Sequence, residues 1–240
     1  MELESGTRAI IALAWARRLG LADSALQDAA LGAAAERLTV ESDDGTVRFL
    51  RLLRGSVLCA PAWFLEASGA YDDDALAQES GLVQLVRAHG GSDGTRGIGE
   101  EALYYVDEPL DVAESDTTVV SFDPAHAHEL EAACPRDDVS GIDLARRAST
   151  FTLLAEEGHA PLAGAGFDVW EGLIADVGVL TVPPLRRHGL ASYIAAVAVD
   201  EALSEGYIPQ WRAAVSHRAA HLTADGLGFV LTGSLTQARI

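Results

Sequence analysis

The stretch VPPLRRHGLA, Val182 to Ala191, gathers two arginines and a histidine just ahead of a glycine, in a chain where basic residues are scarce. It follows an apolar run, VGVLTV, and opens an alanine-rich segment. That order predicts a strand closed by a proline pair, then a turn, then a helix. The first turn of a helix presents backbone N–H groups with no partner inside the helix, together with the positive end of its dipole. Small residues at that point let an anion reach the backbone, which is how pyrophosphates are held. Gly189 and Ala191 are small where a side chain would cover those amides, and Arg186, Arg187 and His188 add positive charge beside them. The chemistry these residues suit is anion binding.

The elements that must position this loop read as follows. From Thr117 onward, TVVSF is a strand, and PAHAHELEAAC and VSGIDLARRA are helical. Thr150 to Val182 reads as three consecutive antiparallel strands, with turns at Glu156–His159 and Glu171–Gly172. A helix from Gly189 to about Glu205, a strand PQWRAAV, another helix and FVLTGSL follow. The fold class is α/β (α+β): a meander, then a strand–loop–helix–strand crossover. In the first half, RAIIALAWARRLG is an amphipathic helix stopped at Gly20, and Asp23 caps a second helix through Leu38. VRFLRLL and SVLCA form a hairpin, and YDDDALAQESGLVQLVRAHG is one capped helix. Gly90–Glu101 is a glycine-rich connection, and EALYYV is a strand. The acidic segment DEPLDVAESD, Asp107 to Asp116, has little to bury and marks a boundary. Two parts are expected: residues 1–112, accessory or degenerate, and residues 113–240.

Arg186-x-x-Gly189-x-Ala191, after a strand and opening a helix, resembles the acyl-CoA loop of the GNAT superfamily of N-acetyltransferases. Leu227-Gly228-Phe229 is similar to that family's turn before its last strands, and the element order from about Thr117 fits as well. The resemblance covers the second half of the chain. It implies a mixed, mainly antiparallel sheet flanked by helices. It implies acetyl-CoA, with the pantetheine arm on the main chain of Leu180, Thr181 and Val182. The diphosphate would then sit on the amides of Arg187, His188, Gly189, Leu190, Ala191 and Ser192, beside Arg186. The implied reaction is attack of an amine on the thioester, with a base to take the amine proton. The N-terminal part then reads as an accessory domain or a degenerate GNAT-like half.

The sequence departs from the family at the proton-transfer positions. The frequent Asn falls on His217, the frequent Tyr on Ala224, and the strand Glu on Ala175 with Asp176 beside it. Asp176 interrupts an apolar strand, where a carboxylate needs a partner or a function. It is a candidate base or one half of an ion pair. His217 is a candidate proton carrier or cofactor contact, or a surface residue at a helix start. Loss of the family's Tyr and Glu keeps a second function class open: a non-catalytic GNAT-fold protein that binds CoA or serves as a scaffold.

Composition bounds the partners. The chain of 240 residues carries a net charge of -19, with 36 acidic residues against 17 basic ones, all of them arginine. Such a surface repels nucleic acid and favours a small, cationic, amine-bearing substrate. The absence of lysine excludes a Schiff base. Two cysteines without metal spacing suit a reducing cytosol. His217 and His221 lack the acidic residue of a zinc helix, so no metal is expected. The first helix is interrupted by Arg17 and Arg18 and reads as neither a signal peptide nor a membrane span. The expectation is a cytoplasmic protein, for which a homodimer is one permitted assembly.

Overall fold

The computed structural model describes residues 2–89, 95–110, 118–155 and 160–240. The elements of the first half are α1 (Ser5–Arg18), α2 (Gln27–Ala30), β1 (Leu38–Glu41), β2 (Thr46–Leu52), β3 (Gly55–Ala60), α3 (Ala62–Ala67), α4 (Asp73–Leu76), α5 (Glu79–Ala88) and β4 (Arg96–Tyr105). Those of the second half are β5 (Thr118–Ser121), α6 (Pro124–Ala132), α7 (Arg136–Val139), β6 (Ser149–Ala155), β7 (Pro161–Trp170), β8 (Ile174–Thr181), α8 (Leu190–Ser204), β9 (Ile208–Ala214), α9 (Arg218–Gly226) and β10 (Val230–Arg239). The chain divides into two compact units that interleave in sequence. One comprises Tyr105–Trp211 and His221–Val230; the other comprises Glu2–Tyr104, Arg212–Ala220 and Leu231–Ile240. The expected boundary at 112/113 lies outside the described residues, as do the Glu156–His159 turn and Gly90–Gly94.

In the N-terminal unit, β1 runs parallel to β3, β3 antiparallel to β2, and β2 antiparallel to β10. One face of this sheet presents Val47, Phe49, Leu58, Ala60 and Ala238, which bury against Phe64, Leu76, Leu82, Leu85 and Val86 of the helices α3 to α5. The β2–β3 hairpin expected from the sequence is present, with Leu52 opposite Gly55.

Three expectations for the first half are corrected. The helix starting after Asp23 does not reach Leu38. It is confined to α2 and ends at Gly32, whose φ of +84° takes the chain out of the helix, and Leu38 already belongs to β1. Arg37 is held there by Asp73 at 2.7 Å and by the Tyr71 carbonyl at 2.8 Å, contacts between segments 34 and 36 residues apart. The helix from Tyr71 to Gly90 is two helices, α4 and α5. Asp72 caps the first by accepting from the Ala75 N–H, and the extended Gln78 separates them. Arg96–Glu101 is not loop but the start of β4.

In the other unit, β5, β6, β7 and β8 form an antiparallel meander, and α8 carries the chain from β8 to the parallel β9. This is the mixed, mainly antiparallel sheet with flanking helices that the sequence predicts. The turn between β7 and β8 holds Glu171 at φ +52° and Gly172 at φ +65°, the left-handed central pair of a tight turn that Leu173 N–H closes on the Trp170 carbonyl at 3.2 Å. Leu180 and Val182 pack with Ala127 and Leu130 of α6 and with Leu144. Close approach on this face depends on glycine. A Cβ on Gly164 would stand 2.6 Å from Leu144, and one on Gly166 would stand 2.5 Å from the Ser149 carbonyl oxygen. The segment VSGIDLARRA, expected to be helical, is mostly turns: Gly141 at φ +92° and Asp143 at φ +44° break it, leaving one 3-10 turn at Leu144–Arg146.

Candidate anion and thioester site

The loop after β8 has the predicted form. Pro183–Leu185 make a single 3-10 turn, Arg187 and Gly189 take positive φ at +68° and +81°, and α8 starts at Leu190. The first backbone bond of α8 runs from Tyr193 N–H to the Gly189 carbonyl at 3.0 Å. Among the described residues, no backbone carbonyl accepts from the N–H groups of Arg187 to Ser192. No side chain caps the helix either. A Cβ placed on Gly189 would meet nothing within 4 Å among the described residues, so the space beside Gly189 is open. Arg187, His188 and Gly189 are exposed, while Leu190, Ala191 and Ser192 are half-buried.

Arg186 has a different environment. Its Nη2 donates to Asp138 at 2.6 Å and its Nε to the Thr181 carbonyl at 3.3 Å, so it braces the loop against the end of β8. Arg187 and His188 have no such commitment among the described residues.

The strand edge beside the loop is also open. β8 pairs with β9 from Ile174↔Ile208 to Val177↔Trp211 and no further, although β8 continues to Thr181. The two strands therefore part after Val177. Val182 N–H donates to the Leu162 carbonyl at 3.1 Å, across to β7. Ile208 N–H donates to the Leu173 carbonyl on the β9 side at 2.9 Å. Strand alternation then turns the main-chain groups of Leu180 and Val182 toward β7 and those of Val179 and Thr181 toward the parted edge. Of the three residues expected to hold a pantetheine arm, Thr181 faces the opening. Leu180 and Val182 put their side chains in the core.

Two residues, at the end of β8 and at the end of its pairing with β9, carry a buried polar atom with no partner among the described residues: the Thr181 hydroxyl and the Trp211 indole N–H. Trp211 is the last β9 residue paired with β8, and Thr181 is the last residue of β8. Residues in register share a face, as do alternate residues along a strand, so Trp211, Val177, Val179 and Thr181 lie on one face of the sheet. A buried polar group with no partner costs about 1–3 kcal/mol, so it calls for an explanation. The sequence gives no warning of either orphan.

Asp176 lies on the opposite face by the same alternation. One carboxylate oxygen is 3.8 Å from Nη2 of Arg147, whose side chain is almost buried. Arg147 also donates to the main-chain carbonyls of Ile142 and Asp176 and fills the space over Gly178, where a Cβ would stand 2.7 Å from it. Of the two roles open to Asp176, the ion pair is occupied. His217 is exposed at the start of α9, with its N–H on the Ala214 carbonyl, and belongs to the N-terminal unit. Ala224, at the position of the family's Tyr, is fully buried. Among the described residues, no group of three or more His, Cys, Asp or Glu could hold a metal ion, and no helix is long and apolar enough to cross a membrane.

Residues 162–237 match the GNAT acetyltransferase family model, a span containing β8, the loop and α8. No curated protein matches the chain. Among solved structures, a Drosophila protein is similar at 12% identity and a TM-score of 0.51, over 65% of this chain and 55% of its own. A GCN5-related N-acetyltransferase of Kribbella flavida is similar at 17% identity and a TM-score of 0.49, over 66% and 63%. A GNAT-family acetyltransferase of Colwellia psychrerythraea is similar at 15% identity and a TM-score of 0.46, over 62% and 58%. The chain thus spans less than two thirds of the length of each. The likeness to the Drosophila structure is one of fold.

Proposed function

From residues 162–237, which match the GNAT acetyltransferase family model, we propose an acyl-CoA-dependent N-acyltransferase acting on an amine. The observation that carries this reading is the conjunction of a parted strand edge, two buried polar atoms on its strands with no partner among the described residues, and a helix start with free amides next to it. A ligand with a hydrogen-bonding chain and an anionic end supplies what each of these lacks. On this reading the amides of Arg187 to Ser192 hold the diphosphate, and Arg187 and His188 add charge. Arg186 braces the loop, and the main-chain groups of Val179 and Thr181 hold the pantetheine arm. The acyl-CoA supplies a thioester; acetyl is the expected acyl group.

The acceptor is an amine of a small, cationic molecule, drawn by a chain of net charge -19. Asp176 and His217 are the two candidates for taking its proton. The Arg147 pair suits Asp176 to a strut. Two observations favour a second reading, a CoA-binding protein without turnover: buried Ala224 stands where the family has its Tyr, and Asp176 is already paired. Thiol release from acetyl-CoA, assayed with polyamines, aminoglycosides and amino acids, separates the two. Release with any acceptor above the hydrolysis background supports the transferase. CoA binding with no release from any acceptor supports the second reading.

A further inference from the structure

The N-terminal unit contains a cavity of about 770 Å³ that the acyl-transfer reading does not use. Small-molecule sites fall in the range of roughly 300–1,000 Å³. Its floor is a row of side chains laid across four strands. Val40 pairs with Cys59, Cys59 with Arg48, and Arg48 with Gln237. Residues in register share a face, so these four stand abreast, and Leu235, two positions back on β10, stands on the same face. The opposite face of the same strands is the apolar core built on Phe49, Leu58 and Ala238. The cavity face is walled by the end of α1, through Trp15 and Arg18, and by Arg212.

The chemistry of the lining is unusual for this chain. Three of its 17 basic residues, Arg18, Arg48 and Arg212, meet in one cavity, against two acidic residues, Glu41 and Asp44. Asp44 lies 2.7 Å from Arg48, and Glu101, outside the cavity, lies 3.5 Å from Arg212. These carboxylates help orient the two guanidinium groups, each a planar fork suited to two-point binding of a carboxylate or phosphate. The side chains of Arg48 and Arg212 stay 29% and 34% exposed. Trp15, Val40 and Leu235 supply apolar surface beside them.

We propose that this cavity is a second ligand site, for a small organic anion: a carboxylate or phosphate monoester carried on an apolar body. The charged end lies among Arg18, Arg48 and Arg212, and the body lies against Trp15 and Leu235. The site is independent of CoA.

The test titrates the full chain with 3-phenylpropionate, phenyl phosphate and, as the uncharged control, 3-phenylpropanamide, by calorimetry. The expected result is one saturable site for at least one anion, with a Kd under about 1 mM, and none for the amide. Saturation by the carboxylate alone, by the phosphate alone or by both identifies the anionic group. Arg18→Gln and Arg212→Gln each weaken that site at least about ten-fold, whereas Gly189→Glu leaves it unchanged. Circular dichroism establishes that each variant is folded; Arg18 is exposed in the last turn of α1. Failure of both anions to saturate at about 10 mM, equal binding of the amide, or unchanged affinity in both folded arginine variants overturns the proposal.

Discussion

At the residue scale, Arg187 and Gly189 both sit at positive φ but for different reasons. Gly189 is the residue type that backbone tolerates, and the space where its Cβ would stand is open among the described residues. Arg187 pays steric strain of about 1–2 kcal/mol to be there. Arg187→Gly therefore exchanges that strain for the entropy glycine loses on folding, about 0.5–1 kcal/mol. Its melting temperature is expected to stay the same or rise, while CoA affinity falls several-fold and depends less on salt. Asp176→Asn, which weakens the Arg147 pair, is expected to lower the melting temperature and to leave any measured turnover within a few-fold. A loss of about 100-fold or more in kcat with stability intact would instead make Asp176 the base. Cys59 gives a pH prediction. Burial pushes its thiol up to about 11 from 9.0, with Arg48 pulling the other way and Asp44 adding to the rise. The folded state thus holds that proton more tightly, and its stability contribution is full below about pH 9 and is lost as pH rises toward 11. Melting curves from pH 8 to 11 should show this slope in the wild type and a shallower one in Cys59→Ala. The loop was legible in the sequence because strand, prolines, basic residues and glycine are contiguous. The orphaned Thr181 hydroxyl and Trp211 N–H were not, because whether a polar atom finds a partner depends on elements far apart in the chain.

At the element scale, the spacing of glycines in β7 and β8 explains how the site's strand is supported. Gly164 and Gly166 pair with Leu180 and Gly178, and all four positions face α6 and the Leu144–Arg146 turn. A methyl group at Gly166 would lie 2.5 Å from backbone oxygen, which cannot swing aside as a side chain can. Gly166→Ala is expected to destabilise by about 1–3 kcal/mol, read as a lower denaturant midpoint with an unchanged m-value. The strands were legible because alternation and β-branched residues write them locally. The Tyr71–Gly90 region carries a helical pattern throughout, and what splits it is tertiary. The Glu79 N–H donates to Glu100 of β4 at 2.5 Å, and Gly81 lets the two helices meet closely, since a Cβ there would stand 2.0 Å from the Ala75 carbonyl oxygen.

At the scale of the whole molecule, the sequence suggested one cut near residue 112, whereas the compact units interleave. Residues 231–240 complete the N-terminal unit, since β10 pairs with β2 from Gly233↔Leu52 to Arg239↔Thr46. Pairing across so long a separation has no local signature, so composition alone could not reveal it. A fragment of residues 113–240 keeps β10 but loses β2, and the exposed strand edge is expected to make it aggregate at concentrations where the full chain stays dispersed, as read by light scattering. The central claim is that the loop opening α8 is a CoA site. Calorimetric titration of the full chain with CoA, beside Gly189→Glu, tests it most directly. The account predicts one site of micromolar-range affinity, weakened at least about ten-fold in the variant by a carboxylate placed where the diphosphate would rest. No binding at high micromolar protein, or equal binding by both proteins, would contradict it.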